Sequence, residues 1–549
     1  MRPHRWPALL VVPAVLVGAV VADRARDPRP EVVEGRDLTR SLEEQGLMPV
    51  AAPIGAVGAT WYCAGGVVGD EASHTVIVAN PTDEDLEGAI TVYGDPDSAN
   101  PIVAEPVIPT TTTTVADGGG GDADDEASTT TTSSTTTTTT IPPTTTTEVP
   151  SPPPASAPIA VPAGSSTEVD LGTIGGVEPG FTAALVELDG GGAVVEHRVT
   201  DENGGDVGPC SSTASPTWYF AAGATTKDAT ETLVFFNPFP DDAVVDVSFR
   251  TDQDVRTPEQ FEGLVVPGQS VVARDIGEVV TRREHVSASV VARAGRLVVD
   301  RLQSYDGTEG VTGLTATLGA PLPAETWFFP EGTVGEGVDE RIVIYNPTDQ
   351  RAEVDLEITV DDATLTGVIE PFELTVPPEG YEEILLNEEA RITSARGGEG
   401  ALEHSSTVRS VNGVPVVAER QSIGGPDSSL AGVDIVLGAP LLADEFLFAA
   451  GADEGDEILV LFNADSDEAV TATVSAVDDG ELVPVPGLEE VTLEGRERTA
   501  VLVDDVDAGT PLVVSAGAPL VVERRLVFDG DTSSAIGVPL AGSLREPTS

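Results

Sequence analysis

The chain is poor in cysteine, in basic residues and in aromatic residues. Its 549 residues include 2 Cys and 28 Lys and Arg, and aromatic side chains make up 4%. The 92 Asp and Glu leave a formal net charge of -64, which repels phosphate backbones and anionic lipid, so no nucleic-acid partner is expected. With so few aromatic residues, the hydrophobic cores must consist mainly of Val, Ile, Leu and Ala.

Sequence motifs of catalysis and metal binding are missing as well. The chain has no G-x-S-x-G elbow, no H-E-x-x-H pair and no P-loop, and its 5 His are scattered. Neither cysteine has further ligands at metal-binding spacing, and no acidic stretch has the D-x-D-x-D-G spacing of a calcium loop. We therefore expect a protein that is not an enzyme and that holds neither a metal nor a cofactor.

Long hydrophobic runs are confined to the amino terminus. Arg2 and Arg5 precede an apolar run from Trp6 to Ala22, an order typical of an export signal. Small residues allow cleavage near Ala22, but the run also reaches the lower limit of about 17 residues for a spanning helix. A signal peptide and a membrane anchor both remain open for residues 1-30. Either one places the remaining chain outside the membrane, secreted or anchored by one N-terminal helix.

Two cysteines in an exported chain are expected to form a disulfide. The bond would join Cys63, on the first predicted strand, to Cys210, just before the second copy of a repeat begins. A closed loop of this length stabilises the fold by about 4 to 5 kcal/mol in the chain-entropy model.

Four similar stretches show that the chain is a tandem repeat. "TWYCAGG", "TWYFAAG", "TWFFPEG" and "EFLFAAG" are each followed by an apolar run that ends in Asn, as in "TLVFFNP" and "RIVIYNP". The recurring aromatic residues are Trp61, Trp218, Trp327 and Phe446, and the recurring turn residues are Asn80, Asn237, Asn346 and Asn463. We expect the aromatic residues to be core residues and the Asn residues to end a strand and cap a turn. The alternatives are sugar platforms for the Trp residues and ligand contact for the Asn residues.

Each repeat has the strand pattern of an immunoglobulin-like sandwich. After Asn346, apolar residues alternate from Ala352 to Val360, as in a strand with one buried face. Asn412-Gly413 predicts a hairpin turn. About six or seven short strands in about 110 residues fit an immunoglobulin-like sandwich, although a jelly roll or another Greek key would give the same count. The predicted fold is all-β, a tandem array of four immunoglobulin-like (Greek-key) β-sandwich domains after an N-terminal signal or anchor helix.

The predicted domain boundaries follow the repeats. Residues 1-30 are the signal peptide or anchor, and residues 31-59 are a lead-in segment. The four sandwiches are 60-213, 214-323, 324-443 and 444-543. The first sandwich contains a Thr/Pro-rich insertion, 109-158, whose composition predicts disorder. The insertion is either a mucin-like, O-glycosylated spur or a passive loop. We expect the four sandwiches to form a rod, with the fourth as its cap.

One further position pairs an acidic residue with a basic neighbour in each repeat. The four pairs are Glu196 with His197, Asp300 with Arg301, Glu419 with Arg420, and Glu523 with Arg524. Because neighbours along a strand point to opposite faces, one member of each pair faces inward or toward the next domain. We expect interdomain or cross-strand ion pairs, with ligand binding as the alternative.

Several of these stretches together resemble a known family. "PVAAPIGAVGATWYCAGG", "GPCSSTASPTWYFAAG", the Asn-Pro-Thr turns and "PVVAER" are similar to an actinobacterial family of exported or membrane-anchored proteins of unknown function, domain of unknown function 5719. The resemblance covers most of the chain after Met48, outside the insertion. It implies a location in the cell envelope, and because members tend to be encoded beside large glycosyltransferases, it implies polymer assembly or display. It supplies no catalytic or binding residues.

The sequence thus predicts a noncatalytic extracytoplasmic cell-envelope protein that acts as a scaffold or interaction array. Its expected partner is a cell-envelope polymer or an envelope protein. If the N-terminal segment is not cleaved, we also expect it to hold the protein to the membrane. The alternative is an envelope polysaccharide-binding or processing module with a site between domains, in which Trp218 or Trp327 stacks on sugars. An adhesin or surface-layer component would have the same architecture.

Overall fold

The structure is a computed structural model that describes residues 46–95, 153–360, 369–392, 401–428, 430–452, 455–464, 467–478, 480–527 and 531–547. The predicted signal or anchor segment 1-30 lies outside the described residues, as does most of the insertion 109-158. The described chain consists of antiparallel sheets, which confirms the all-β prediction. No helix in this part of the chain is long and apolar enough to cross a bilayer.

The strands fall into four successive groups, each of which we call a unit. Unit 1 contains β1 (Ala59–Val68), β2 (Ser73–Asn80), β3 (Leu86–Gly94), β4 (Ala155–Val161), β5 (Ser165–Asp170), β6 (Gly180–Leu188), β7 (Val194–Thr200) and β8 (Gly205–Pro209). Unit 2 contains β9 (Thr217–Phe220), β10 (Ala229–Asn237), β11 (Ala243–Thr251), β12 (Val255–Arg256), β13 (Leu264–Val266), β14 (Ser270–Asp275), β15 (Val286–Ala294), β16 (Val298–Asp306) and β17 (Thr312–Leu318).

The other two units have the same succession of strands. Unit 3 contains β18 (Thr326–Phe329), β19 (Thr333–Val334), β20 (Val338–Asn346), β21 (Ala352–Val360), β22 (Phe372–Val376), β23 (Gly380–Leu385), β24 (Leu402–Ser410), β25 (Val417–Gly424) and β26 (Gly432–Leu437). Unit 4 contains β27 (Leu442–Phe448), β28 (Asp456–Phe462), β29 (Val470–Asp478), β30 (Glu481–Pro484), β31 (Val491–Leu493), β32 (Arg498–Val503), β33 (Leu512–Val527), β34 (Thr532–Ile536), β35 (Val538–Pro539) and β36 (Leu544–Arg545). Single-turn 3-10 helices lie at Leu171–Thr173, Glu259–Phe261, Ile276–Glu278 and Leu386–Glu388.

Each unit has two sheets with one shared strand order. In unit 1 the orders are β1-β6-β3-β4 and β5-β2-β7-β8, and in unit 3 the equivalent orders are β18-β24-β21-β22 and β23-β20-β25-β26. In unit 4 the long strand β33 belongs to both sheets, since its first part pairs with β27 and β29 and its second part with β28 and β34. Along β21, Ala352, Val354 and Leu356 are buried and the residues between them are not, so the predicted alternation is confirmed.

The hairpin predicted at Asn412-Gly413 is wrong. Strand β24 pairs with β18 and β21, whereas β25 pairs with β20 and β26. The turn therefore carries the chain from one sheet to the other. Gly413 has a positive φ of 73°, but Asn412 does not, so this is not the type I′ turn that an Asn-Gly hairpin requires. The Asn-Gly pair marks a turn, but it determines neither the turn type nor which strands pair.

The recurring aromatic residues are core residues. Trp61 and Phe446 are 1% exposed, and Trp218 and Trp327 are 0% exposed. The Trp218 indole Nε1 donates a hydrogen bond to the Leu297 carbonyl at 2.9 Å, so its polar atom is satisfied inside the protein. Because these rings are enclosed, they cannot serve as sugar platforms in this structure.

The recurring Asn residues hold the turn after the second strand of each unit. The Asn237 amide Nδ2 donates to the carbonyls of Asp241 at 2.9 Å and Val266 at 3.0 Å, and its Oδ1 accepts from the Phe239 amide at 3.1 Å. Asn346 makes the equivalent bonds to Gln350 and Thr348. The side chain thus joins two loops of one unit and satisfies buried backbone groups there.

We expect Asn237→Ala to lower the free energy of unfolding by about 1 to 3 kcal/mol, because buried backbone groups lose their partners. Chemical denaturation measures this difference. Asn412→Ala is the matched control, since Asn412 makes the same kinds of bond at an exposed site where water replaces them. Equal losses for the two variants would contradict the capping role.

Candidate functional site

The four units close into a ring. The strand equivalent to β8 in each unit lies at the centre, where β8 contacts β17, β17 contacts β26, β26 contacts β34, and β34 contacts β8. The expected rod is therefore wrong, and so is the expected role of the fourth unit as a cap, since unit 4 contacts both unit 3 and unit 1. The cause lies in the side chains at the four junctions between units.

The two ends of the described chain meet at the junction of units 4 and 1. The Ala51 amide donates to the Pro539 carbonyl at 2.9 Å, and the Ala541 amide donates to the Ala51 carbonyl at 2.8 Å. Met48 is buried within the hydrophobic core of unit 4. The described part of the lead-in segment, residues 46–59, is thus part of the ring.

At the junction of units 2 and 3, a buried carboxylate from one unit binds the backbone of the other. Glu419 Oε2 accepts hydrogen bonds from the amides of Ala221 at 3.0 Å and Ala222 at 2.6 Å. Arg301 Nη1 donates to the same oxygen at 2.9 Å, and both side chains are 0% exposed. Arg301 also donates to the Ala222 carbonyl, so the guanidinium and the loop after β9 hold the carboxylate together.

The same arrangement recurs between unit 4 and unit 1. Glu196 Oε2 accepts from the amides of Ala449 at 3.1 Å and Ala450 at 2.8 Å, and from Arg524 Nη1 at 3.0 Å. Arg524 donates in turn to the Ala450 carbonyl. Residues 328 positions apart in the sequence therefore form one ion pair that closes the ring.

The junction of units 3 and 4 repeats the arrangement with one change. Glu523 Oε2 accepts from the Glu331 amide at 2.9 Å, and its Oε1 lies 2.8 Å from Arg420 Nη2. Pro330 replaces the first alanine of the loop, so that position has no amide to donate. The Glu331 side chain adds an ion pair to Arg498 of unit 4.

The junction of units 1 and 2 differs because a histidine replaces the arginine. Asp300 Oδ2 accepts from the Gly65 amide at 2.8 Å, and His197 Nε2 lies 3.8 Å from the same oxygen. His74 Nε2 lies 3.1 Å from His197 Nδ1. All four acid-base positions that the sequence singled out thus lie at the junctions, and each acid contacts the base of a neighbouring unit.

A second set of junction residues was missed by the sequence reasoning. Six positions before each recurring Asn stand His74, Glu231, Glu340 and Glu457. The constant spacing could have revealed them. All four are buried. Glu231 packs against Gly223, where an added Cβ would lie 2.8 Å from its carboxylate.

Burial changes the protonation of these groups. It raises the pKa of Glu231 to about 8 and the pKa of Glu457 to about 7, although the neighbouring arginine opposes the shift in each case. Burial also raises the pKa of Asp300 to about 7. For Glu340, burial acts in the same direction, but His404 at 2.8 Å and Arg420 outweigh it, so its pKa is lowered.

A polar layer lies on the ring axis. Strand registers place Asp206, Thr315, Asp434 and Ser533 at equivalent positions of β8, β17, β26 and β34. Asp206 Oδ2 accepts from Thr315 Oγ1 at 3.0 Å and from the Ala316 amide at 2.6 Å, so it joins units 1 and 2. Beside this layer is a cavity of about 70 Å³, lined by residues of all four units and by Met48. The described residues contain no group of three or more His, Cys, Asp or Glu that could hold a metal ion.

The predicted disulfide between Cys63 and Cys210 is confirmed. Cys63 lies on β1 directly before the bulge at Ala64 and Gly65 that binds Asp300, and Cys210 directly follows β8. A disulfide is typical of proteins in oxidising, extracytoplasmic compartments.

Arg301→Met is expected to lower the free energy of unfolding by about 3 to 5 kcal/mol, because Glu419 then remains buried without its cation. Chemical denaturation of the variant measures the loss. Lys227→Met is the control: it removes the partner of Glu309 in an exposed pair, which contributes at most about 1 kcal/mol. A loss for Arg301→Met no larger than that of the control would contradict the role of the pair.

Stability should depend on pH through Glu231. Folding raises its pKa from 4.5 to about 8, so between these values the folded protein binds more protons than the unfolded chain. The free energy of unfolding contributed by Glu231 therefore falls as pH rises through this window. In Glu231→Gln the side chain stays neutral, so this variant should gain stability relative to the wild type between about pH 5 and about pH 8. Urea midpoints at several pH values test this, and parallel pH profiles of the two proteins would contradict it.

Comparisons with known proteins identify the family but supply no activity. No curated protein matches the chain. Among solved structures, the crystal structure of Thermotoga maritima 1070 matches 19% of this chain and 92% of its own, with 13% sequence identity and a TM-score of 0.17. The sequence model of a family of unknown function, DUF5719, matches residues 190–300 and 298–543. Since this match spans more than half of the chain, the protein belongs to the DUF5719 family.

Proposed function

We propose that the protein is a noncatalytic, extracytoplasmic scaffold of the cell envelope, made of four immunoglobulin-like sandwiches closed into a ring. The observation that carries the proposal is the use of the repeated residues. The aromatic residues fill the cores, the Asn residues hold the turns, and the acid-base pairs join the units. Every repeated feature thus contributes to a fixed arrangement of domains.

The strand order supports the immunoglobulin-like description in its centre. In the strand numbering of unit 1, strand 2 pairs with strand 5 and strand 3 pairs with strand 6, as strands B and E and strands C and F do in immunoglobulin domains. The outer strands are exchanged: strand 1 lies beside strand 6 and strand 7 beside strand 2. This exchange places strands 7 and 8 next to the ring axis, where the junction residues are.

The buried junctions favour a rigid scaffold over a flexible array. Separating two units would expose a carboxylate and a guanidinium and would break several hydrogen bonds to backbone amides at once. Independent motion of the units is therefore costly. The loops of the four units are held at fixed spacings, which suits the display of several contacts to one envelope polymer or envelope protein.

The disulfide and the sequence of the amino-terminal segment support the proposed location. The bond between Cys63 and Cys210 favours an oxidising compartment. Residues 1-30 would direct export and either be removed near Ala22 or anchor the ring to the membrane.

Capture from envelope fractions tests the proposal. The full chain with a carboxyl-terminal tag is incubated with solubilised envelope, and bound glycans and proteins are scored separately. We expect specific capture of one polymer or one envelope protein, without release of glycan fragments. The matched control is Arg301→Met with Arg420→Met, in which two junctions lose their cation and capture should weaken. Capture of neither class, or release of glycan fragments, would contradict the proposal.

A further inference from the structure

Units 2, 3 and 4 share a contact at the ring axis between a phenylalanine and a glycine. A Cβ added to Gly319 would lie 2.7 Å from Cζ of Phe220. The same distance is found between Gly438 and Phe329 and between Gly537 and Phe448. Each phenyl ring thus occupies the space that any side chain on its glycine would need.

In unit 1, the two cysteines occupy these positions. On the first strand, Cys63 pairs with Ala184 as Phe220 pairs with Ala288. After β8, the amide of Cys210 donates to the Val195 carbonyl at 3.0 Å. After β17, the equivalent strand of unit 2, the amide of Gly319 donates to the Val299 carbonyl at 3.2 Å. The disulfide therefore lies where the other three units have a phenyl ring packed on glycine.

This contact supports the junction in two ways. The cysteine or phenylalanine on the first strand lies two residues before an amide that binds the carboxylate of the neighbouring unit. This amide belongs to Gly65 in unit 1 and to Ala222 in unit 2. The phenyl ring also lies under the guanidinium of its own unit, with Arg301 5.4 Å from the Phe220 centroid and Arg524 5.1 Å from the Phe448 centroid. In unit 1 the ring and the arginine are both replaced.

Two free thiols would not replace the phenyl contact. They are smaller than the phenyl ring, and although Tyr62 and Ser211 still exchange backbone hydrogen bonds at 2.8 and 2.9 Å, no covalent bond then joins β1 to the segment after β8. The result is a poorly packed site directly beneath the bulge of β1 that binds Asp300. His197, at 3.8 Å from Asp300, offers that carboxylate a weaker partner than an arginine does.

We propose that oxidation of Cys63 and Cys210 is the step that permits the ring to close at unit 1. The two thiols form the S–S bond and lose two protons and two electrons to a disulfide of the oxidising compartment, which is reduced to two thiols. The bond then fixes the positions of the β1 bulge at Ala64 and Gly65 and of the end of β8, so that the junctions on both sides of unit 1 form. Cys63 is 0% and Cys210 is 1% exposed, which shields the bond from reductants once the ring has closed.

Hydrogen exchange of the full chain at the junction amides tests this proposal. The reporting amides are Gly65 at the junction of units 1 and 2, and Ala449 and Ala450 at the junction of units 4 and 1. Ala222, at the junction of units 2 and 3, is the internal control. Amides of β2 and β7 report whether unit 1 itself remains folded.

Two double variants separate the bond from the packing. Cys63→Ala with Cys210→Ala removes both, and exchange at Gly65, Ala449 and Ala450 should be about tenfold faster or more, while Ala222, β2 and β7 stay protected. Cys63→Phe with Cys210→Gly restores the contact of the other units without a bond, and protection should return even under reducing conditions.

Three outcomes would overturn the proposal. The first is full protection of Gly65, Ala449 and Ala450 in the alanine variant. The second is loss of protection throughout β2 and β7 in that variant, which would assign the bond to the stability of unit 1 alone. The third is a folded phenylalanine-glycine variant whose junctions remain unprotected. If that variant does not fold, refolding of the wild-type chain with and without an oxidant decides, because ring closure should then require the oxidant.

Discussion

Each junction of the ring contains a carboxylate that has lost its water, and the negative charge must be compensated at that place. Transfer of such a group from water into a protein interior costs several kcal/mol, and the attraction of one cation offsets this only when further hydrogen bonds are made. At three junctions the backbone amides of the loop after the first strand supply those bonds, and the arginine of the same unit supplies the charge. At the junction of units 1 and 2, the Gly65 amide binds Asp300 and His197 replaces the arginine. Since the carboxylate belongs to the next unit, no unit can by itself supply the hydrogen bonds and the cation that its junction carboxylate needs. A rod would leave the carboxylate of Glu196 and the guanidinium of Arg524 without each other, and this pair explains why the array closes.

Much of the architecture could be predicted because it depends on local patterns. Period-two alternation identifies strands such as β21, and Asn followed by Pro identifies the turn after the second strand. The ring could not be predicted, because no local pattern states which repeat contacts which. Glu419 and Arg420 are neighbours in sequence, yet Glu419 contacts unit 2 and Arg420 contacts unit 4. Glu231 was missed for another reason: among 92 acids, one acidic residue in an apolar strand stands out only when the four repeats are aligned on the recurring Asn. The hairpin at Asn412-Gly413 failed because a turn signal does not determine which strands pair.

Unit 1 departs from the other three at several positions that contact one another. The arginine of the junction becomes His197, the acid before the recurring Asn becomes His74, and the phenylalanine and glycine become the disulfide. Each change removes the partner of another: without the phenyl ring an arginine loses its stacking surface, and without the arginine a second carboxylate would lie unpaired. The first unit therefore has an alternative set of contacts, made by changed residues that lie beside one another.

The two hydrogen bonds that join Ala51 to Pro539 and Ala541 place the two ends of the described chain side by side. A tensile force applied between the ends would therefore act first on this seam and on the Glu196–Arg524 pair beside it. The other three interfaces lie outside the direct path of the load. Mechanical opening would convert the closed ring into a linear string at one defined place and leave the individual sandwiches intact. Tension would thus abruptly increase the distance between the two ends of the described chain.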